Sequence, residues 1–316
     1  MRKSLLLNPT MRSNARITPD MGPARALSAG RVDLHLHSVF SDGLKTPEEL
    51  CGMARRLGLR YLALTDHDTI DGLARMARAA ADQCARGEPL GFIPGVEVSA
   101  GQGGRVHVLG YGADTGNAEL AAFLRRNAAD RRERAQRMLA LLEAEGIRLS
   151  PEAREALDRP TVGRAHIARA LVKEGAVPTV KHAFERYLGE GCRAYVPRPL
   201  MPVGEAVAQL RAMGLVPVLA HPMRMGLEGA ALYALARELK ARGLMGIEAF
   251  HPSAGRRHAQ ELARMAQSEG MLVTGGSDYH GDADTCARIG RLPSGWRNVD
   301  QDIEALLNAI EHTQSR

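Results

Sequence analysis

Strand-like and helix-like segments alternate along most of this chain, and this alternation limits the possible folds more than any other feature. Seven segments have the apolar and β-branched character of strands: residues 31–37, 59–65, 91–99, 105–112, 215–220, 244–250 and 271–277. Most intervening segments have helical periodicity, and the first of them starts with a predicted capping box formed by Thr46 and Glu49. A glycine-rich loop at 100–104 predicts a hairpin between the third and fourth strands. Repeated βα units of this length favour a parallel sheet, either open or closed into a barrel.

The alternation is interrupted between residues 113 and 193, where no segment has the pattern of a strand. Helices are predicted there at 117–146, 161–175 and 179–191. We therefore predict a discontinuous α/β barrel, residues 31–112 and 194–316, with a helical insertion domain at 113–193. Residues 1–30 are expected to form a poorly ordered N-terminal extension.

Composition and charge exclude several classes of protein. The four cysteines are dispersed and form no CxxC pair, which argues against a zinc ribbon or a disulfide framework and favours a reducing, cytoplasmic setting. No apolar run approaches the ~20 residues needed to span a bilayer, so no membrane partner is expected. The net charge of +6 fits a small anionic substrate, and the aromatic content of 4% argues against a stacking platform for long nucleic acid.

Histidine and carboxylate residues are concentrated where the predicted strands end. His35 and His37 are two residues apart on the first strand, so both imidazoles would face the same side of the sheet. The other candidates are Asp42, Asp66, His67, Asp68, Glu97, His107, His221, His251, Asp278 and His280. In parallel α/β folds, the C-terminal ends of the strands share one face, and that face carries the active site.

This concentration of titratable groups predicts a metal centre. Two core histidines held by hydrogen bonds would explain His35 and His37 alone, but not six histidines and three carboxylates together. Crowding these groups would cost desolvation and repulsion energy that divalent cations remove. Mixed imidazole and carboxylate ligands suit Zn²⁺, Mn²⁺ or Fe²⁺, and nine ligands are too many for one ion. Two or three ions sharing a bridging carboxylate are therefore expected.

Six motifs resemble the PHP (polymerase and histidinol phosphatase) family of metal-dependent phosphoesterases. They are DLHLHSVFSDG, LTDHDT, GVEVS, HVLGY, LAHP and GSDYH, in that order across residues 33–280. Their order, the helical insertion and GRAHIARALV are most similar to the branch of nucleoside 3′,5′-bisphosphate phosphatases and short-RNA 5′-exonucleases. The resemblance implies a distorted (β/α)₇ TIM-like barrel of the PHP type, with a trinuclear centre that usually holds manganese.

The resemblance also implies how the ligands divide among three ions. The first ion would take His35, His37, Glu97 and Asp278. The second would take Glu97 as a bridge, with His107 and His221. The third would take Asp42, His67 and His280. Mn²⁺ is the expected cofactor, with Zn²⁺, Fe²⁺ or Mg²⁺ as alternatives, and His251 is expected to be a substrate-contacting pocket residue rather than a ligand.

Closely spaced ions suggest hydrolysis of a phosphate ester. Such ions bind a phosphate and lower the pKa of a bridging water, whose hydroxide then attacks phosphorus in line. Asp42, Glu97 and His280 would take part in this step by holding the ions. Asp66 and Asp68 are expected to orient His67 or a neighbouring imidazole, and capping of the turn after the strand is the alternative.

Arginines of the insertion are the candidates for substrate selection. Arg131 falls in the middle of the apolar face of the helix at 117–146, and Arg134 lies at the edge of that face. Buried arginines need anionic partners, and we favour a substrate phosphate over a structural salt bridge. Arg164 and His166 lie at a helix start, which suits an anion, and the resemblance implies phosphate binding there too.

The favoured function is hydrolysis of the 3′-phosphate of nucleoside 3′,5′-bisphosphates, giving a nucleoside 5′-phosphate and free phosphate. The alternative is a 5′-to-3′ exoribonuclease on short 5′-phosphorylated RNA, in which the same metals cut a diester. A histidinol-phosphate phosphatase is less favoured, because its substrate does not require a second anion subsite. A non-enzymatic metal- or nucleotide-binding regulator would be expected to lack ligands, and here the set of nine is complete.

Overall fold

The computed structural model describes residues 31–87, 89–101, 106–198, 200–281 and 287–315, and the predicted extension at 1–30 lies outside them. Its seven strands form one sheet in chain order. They are β1 (Arg31–Asp33), β2 (Leu59–Leu64), β3 (Gly91–Ala100), β4 (Val106–Tyr111), β5 (Val216–Leu219), β6 (Gly246–Phe250) and β7 (Leu272–Gly275). Each strand overlaps one of the seven predicted segments, so the α/β class is confirmed.

One strand of the sheet runs against the others. β4 is antiparallel to both of its neighbours, whereas the remaining neighbouring pairs are parallel. The antiparallel pairing of β3 with β4 confirms the predicted hairpin, although residues 102–105 of its loop lie outside the described residues. The reversal places the start of β4 at the same edge of the sheet as the C-terminal ends of the parallel strands.

The first strand is shorter than the sequence pattern predicts. β1 ends at Asp33, so His35 and His37 follow the strand rather than lying on it. Beyond that point the chain runs beside the segment after β7. The Leu34 N–H donates to Gly275 O and the Asp278 N–H donates to His35 O, at 3.1 and 2.9 Å. These hydrogen bonds join the two edges of the sheet, as expected for a distorted PHP-type barrel.

Close approach of the two edges depends on one glycine. A Cβ atom placed on Gly276 would lie 2.2 Å from the Cβ atom of His35 and 2.5 Å from its backbone nitrogen. Real Cβ atoms do not approach other heavy atoms this closely, so any side chain at position 276 would push the two edges apart. The glycine therefore allows the metal-ligand candidates after β1 and β7 to meet.

Ten α-helices in the described part of the chain complete the fold. They are α1 (Pro47–Arg56), α2 (Leu73–Ala85), α3 (Ala118–Ala144), α4 (Pro151–Ala156), α5 (Arg164–Lys173), α6 (Val180–Ala183), α7 (Val203–Ala212), α8 (Gly229–Ala241), α9 (Gly255–Ser268) and α10 (Val299–Gln314). The predicted capping box is present at α1, where the Glu49 N–H donates to Thr46 Oγ1 and the Thr46 N–H donates to the Glu49 carboxylate. Within the described residues, no helix combines the length and the apolar character needed to cross a bilayer.

Apolar residues from the second half of α3 to Val196 form a core of their own. All buried members of this cluster lie between Ala135 and Val196, and they include Leu142, Ile167 and Leu188. The first turns of α3, with Phe123, pack instead into the core that the barrel strands and helices share. The long helix α3 thus spans both cores, and the division into a barrel and an insertion at 113–193 stays a prediction.

Candidate metal centre

The fold brings all nine predicted metal ligands to one edge of the sheet. Glu97 lies beyond the part of β3 that pairs with β2, and an isolated parallel bridge joins it to His67. His107 reaches the same edge because β4 is antiparallel and its register pairs His107 with Ser99. His107 therefore enters the cluster from the start of a reversed strand rather than from a C-terminal strand end.

Glu97 is the centre of the cluster. Its fully buried carboxylate lies 2.7–3.2 Å from the nearest ring nitrogens of five imidazoles, those of His107, His221, His67, His35 and His37. Burial alone would raise the pKa of Glu97, but the nearby His67, His107 and His35 hold that pKa well below its usual range. An ionised carboxylate in contact with five imidazoles has the arrangement expected of a bridging ligand.

Two further carboxylates contact imidazoles of the same cluster. Asp278 Oδ1 is 3.1 Å from His37 Nε2 and 3.6 Å from His35 Nε2. Asp42 Oδ1 is 3.1 Å from His280 Nε2, and Asp42 Oδ2 is 4.0 Å from His67 Nε2. Burial opposes ionisation of both carboxyls, but the neighbouring imidazoles, above all His35 for Asp278 and His280 for Asp42, keep both pKa values well below the usual range.

Among the residues that the structure describes, three groups of ligand atoms are compact enough to hold a metal ion. They are His35, His37, Glu97 and Asp278; His37, Asp42, His67 and His280; and His67, Glu97 and His107. The first matches the set expected for the first ion, and the second adds His37 to the set expected for the third. The remaining group contains His67 in place of His221, although His221 Nε2 lies 2.9 Å from Glu97 Oε1. The assignment of ligands to individual ions stays a prediction.

Unpaired polar atoms show that this cluster fits divalent cations. Among the described residues, several buried atoms that face it have no hydrogen-bond partner: His35 Nε2, His37 Nε2, Asp42 Oδ1, His67 Nδ1 and Glu97 Oε2. Unsatisfied buried groups are costly, and mixed imidazole and carboxylate donors are the ligand set that Mn²⁺, Fe²⁺ and Zn²⁺ accept. The residues present therefore suit the cofactor that the resemblance implies.

Glu248 supports the cluster, and the sequence analysis missed it. This fully buried carboxylate on β6 lies 2.9 Å from His35 Nδ1 and accepts a hydrogen bond from the His221 N–H at 2.7 Å. Such a contact fixes the tautomer of an imidazole so that its other nitrogen faces a metal. A carboxylate between Ile247 and Ala249 on an apolar strand was the signal that could have identified it.

Asp66 organises the loop between the first ligands. Its carboxylate accepts hydrogen bonds from the Ser38 N–H and from the hydroxyls of Ser38 and Ser41, at 2.6–2.7 Å. Ser41 Oγ in turn lies 3.4 Å from His37 Nδ1. Asp66 therefore caps the turn after β1 and reaches a neighbouring imidazole, that of His37, through Ser41.

Asp68 faces the arginines of the insertion. Its Oδ2 atom lies 2.5 Å from Arg131 Nε and 3.5 Å from Arg198 Nη1, while Asn127 donates to its Oδ1 at 3.0 Å. Burial would raise the pKa of Asp68, but Arg131 and Arg198 lower it to about 2. The salt bridge considered as the alternative for Arg131 is present, and contact of Arg131 with substrate stays a prediction. Arg198 lies in a segment without periodicity, which is why the sequence did not single it out.

The other predicted substrate residues make contacts within the protein. Arg134 donates to Val196 O and lies over the Tyr195 ring, and the Arg164 guanidinium lies between the rings of Tyr195 and Phe184. Burial and the neighbouring Arg164 lower the pKa of Arg134 to about 10. Their binding of substrate therefore stays a prediction.

The two remaining predicted substrate residues are histidines whose Nδ1 atoms accept backbone hydrogen bonds. His166 Nδ1 accepts from the Gly163 N–H and its Nε2 contacts Ser41 O. His251 Nδ1 accepts from the Ser253 N–H, and its buried Nε2 lies 3.6 Å from Asp278 Oδ2. A neutral His251 thus carries its proton on Nε2, which suits a hydrogen-bond donor better than a metal ligand. Contact of either histidine with substrate stays a prediction.

Backbone strain is concentrated in the same place. The non-glycine residues with positive φ in the described ranges are Asp68, His221 and Asp278, with φ of 51°, 28° and 54°. Each of them follows a strand and contributes a side chain to the centre or to its arginine neighbours. Conformations of this kind cost about 1–3 kcal/mol and tend to persist at functional sites.

Comparisons with known proteins agree with the α/β fold and identify a family. The PHP domain family model matches residues 33–151. A 3′,5′-nucleoside bisphosphate phosphatase of Chromobacterium violaceum is 36% identical over 87% of this chain and 96% of its own length. A 5′-3′ exoribonuclease of Haemophilus influenzae is 33% identical over 89% of this chain and 97% of its own. The crystal structure of a protein from Bifidobacterium adolescentis, described as a metal-dependent phosphoesterase, superposes with a TM-score of 0.76 at 30% identity, covering 89% and 96% of the two chains.

The chain therefore belongs to the PHP family.

Proposed function

We propose that this protein is a phosphatase that removes the 3′-phosphate of nucleoside 3′,5′-bisphosphates with the help of bound divalent cations, Mn²⁺ above all. The observation that carries the proposal is the pairing of two features. One is the cluster of nine imidazole and carboxylate side chains, and the other is a group of arginines beside it. The C. violaceum relative, which carries the name of this activity, supports the choice of substrate.

The ligand cluster would supply the chemistry of ester cleavage. Bound divalent cations neutralise charge on a phosphate and make water a competent nucleophile near neutral pH. The protein would hold these cations with Glu97 at the centre and with Asp42 and Asp278 as further carboxylate ligands. Glu248 would keep the His35 proton on Nδ1, so that the Nε2 lone pair faces the cluster.

His251 would act on the substrate directly. Its Nε2 proton faces the cluster, because Nδ1 is occupied by the Ser253 N–H. A donor in this position can bind an oxygen of the phosphate or stabilise the leaving 3′-oxygen. This is the role of a pocket residue, as the sequence analysis predicted.

The arginine cluster supports a second anionic subsite. Burial, together with the positive charges of the nearby Arg164, Arg198 and Arg131, lowers the pKa of the half-buried Arg134. Asp68 is the carboxylate that two of the four guanidiniums contact. Arginines gathered in this way repel one another, and a substrate phosphate bound among them would reduce that repulsion. A nucleoside 3′,5′-bisphosphate would bring one phosphate to the metals and the other to the arginines.

A 5′-to-3′ exoribonuclease acting on short 5′-phosphorylated RNA is the second candidate. The H. influenzae relative carries the name of that activity, and the same two subsites would suit a 5′-phosphate and a scissile diester. The two activities differ in whether a nucleotide chain can extend beyond the metals.

Phosphate release from four substrates tests the proposal. The protein is incubated with Mn²⁺ and adenosine 3′,5′-bisphosphate, AMP, histidinol phosphate or a 5′-phosphorylated trinucleotide, and a Glu97→Gln variant serves as the metal-site control. We expect the bisphosphate to have the highest kcat/KM. Equal hydrolysis of AMP and histidinol phosphate would refute the second subsite, and faster release of mononucleotides from the trinucleotide would favour the exoribonuclease.

A further inference from the structure

Four side chains of residues 159–169 hold one side of the loop that carries Asp42. They donate hydrogen bonds to four consecutive backbone carbonyls of this Asp42 loop, defined as residues 38–43. The pairs are Arg159 with Val39, Thr161 with Phe40, His166 with Ser41, and Arg169 with Asp42. The last three donor–acceptor distances are 2.7, 2.9 and 2.7 Å. One short stretch of the insertion therefore binds the backbone carbonyls of residues 39–42.

The opposite side of the Asp42 loop is held by the barrel. Asp66 binds the hydroxyls of Ser38 and Ser41, and the Gly43 N–H donates to Ser38 O at 2.9 Å. The backbone of the loop is thus fixed between a barrel carboxylate and the donors of the insertion. Asp42 extends its carboxylate from this fixed backbone to His280, while its own carbonyl is bound by Arg169.

The other metal-ligand candidates are held by different means. His35 is fixed by Glu248 and by the hydrogen bond between its carbonyl and the Asp278 N–H. Glu97 lies within β3, whose pairing with β4 extends past it to Ala100. The backbone carbonyl of Asp42, in contrast, is bound by Arg169 of the insertion.

We propose that residues 159–169 act as a positioning clamp for Asp42, and that this clamp sets the metal affinity of the group formed by His37, Asp42, His67 and His280. The inference rests on the proposed metal dependence. The clamp acts through the backbone of the Asp42 loop, because each of its four donors ends on a carbonyl oxygen. Outer partners that orient a metal ligand typically account for 10–100-fold in metal affinity.

Two substitutions remove clamp donors and leave every ligand candidate unsubstituted. Thr161→Val deletes the hydroxyl that binds Phe40 O at nearly constant volume, and Arg169→Met deletes the donor to Asp42 O. Thr161→Ser and Arg169→Lys restore a donor at each position and serve as rescue variants. Lys173→Met is the matched control, because it removes a positive charge from the exposed surface of the same helix, one turn further on.

Mn²⁺ binding to the metal-free full-length protein is the measurement, with free Mn²⁺ followed by electron paramagnetic resonance. An Asp42→Asn variant identifies the binding step that belongs to the Asp42 group. We expect the Thr161→Val/Arg169→Met double variant to weaken that step by about 10–100-fold and to leave the other steps unchanged. The rescue variants are expected to recover most of the affinity, and Lys173→Met is expected to bind like the unsubstituted protein.

Three results would overturn the clamp. The double variant could bind Mn²⁺ at the Asp42 step as tightly as the unsubstituted protein, all steps could weaken together, or Asp42→Asn could leave every step intact. The binding experiment contains no substrate, so its outcome does not depend on whether the protein has the proposed phosphatase activity. The clamp and the phosphatase activity are therefore tested separately.

Discussion

Replacing Glu248 by glutamine tests how far the metal centre depends on a residue that is not itself a candidate ligand. The carboxylate serves two donors, since Oε1 binds His35 Nδ1 at 2.9 Å and Oε2 accepts the His221 N–H at 2.7 Å. Glutamine has nearly the same shape but only one acceptor oxygen. One of the two donors must then face an NH₂ group.

The structure sets the size of the expected effect. Leaving one buried donor unsatisfied costs about 1–3 kcal/mol, so the free energy of unfolding of the metal-free protein should fall by that amount. Loss of a carboxylate that orients a metal-binding imidazole should weaken Mn²⁺ binding by about 10–100-fold, which corresponds to about 1.4–2.7 kcal/mol. At saturating Mn²⁺, kcat of the variant should be closer to that of the unsubstituted protein than its Mn²⁺ affinity is, because Glu248 contacts two ligand candidates rather than the substrate.

The assay is a Mn²⁺ titration of the metal-free protein, read both as bound metal and as phosphatase activity. Glu238→Gln is the matched control, since it makes the same change at an exposed position on α8. If Glu248→Gln bound Mn²⁺ as tightly as the Glu238→Gln control, the account of how His35 and His221 are oriented would be wrong.

Three further changes have expected outcomes. Arg164→Met should raise KM for adenosine 3′,5′-bisphosphate by about 10-fold or more, because a charge-assisted hydrogen bond contributes about 1.5–3 kcal/mol. The control is Arg186→Met, whose guanidinium also lies over a tyrosine ring, and its KM in steady-state kinetics should not change. In a denaturant titration, Gly276→Ala should lower the free energy of unfolding by about 1–3 kcal/mol, because its Cβ would lie 2.2 Å from the Cβ atom of His35. The control Gly52→Ala, within a helix, should leave the free energy of unfolding unchanged or raise it by about 0.5–1 kcal/mol. Burial lowers the pKa of His166 in the folded protein to about 4. As the pH falls below 6.5, His166 is therefore protonated in the unfolded chain before it is protonated in the folded one. The free energy of unfolding should fall between pH 6.5 and pH 4, by up to about 3 kcal/mol. His166→Gln should lose this component of the pH dependence, and an unchanged slope in pH-dependent denaturation would contradict the assignment.

The positions of the ligand candidates could be predicted because they follow from chain direction. Asp278 and His221 come directly after apolar strands, and parallel strands deliver such residues to one face. His107 was included for its place on the fourth strand, but its position depends on the reversal of β4. The glycine-rich loop at 100–104 indicated that reversal, because a short loop can join antiparallel neighbours but not parallel ones.

Contacts between distant segments could not be predicted in the same way. Glu248 binds His35 across 213 positions of sequence, and only the ring of strands brings the two together. Arg131 was recognised as a buried cation, but the identity of its partner, Asp68, depends on how α3 lies over the barrel. The early end of β1 at Asp33 also required the fold, since an alternating pattern of leucine and histidine is compatible with a longer strand.

Identification of the product from adenosine 3′,5′-bisphosphate tests the central claim most directly. The metal cluster should receive the 3′-phosphate while the arginines, including Arg164, hold the 5′-phosphate. Phosphorus nuclear magnetic resonance of a reaction with Mn²⁺ should therefore show adenosine 5′-phosphate and free phosphate as the sole products. Formation of adenosine 3′-phosphate, or of both monophosphates, would contradict the assignment of the two subsites.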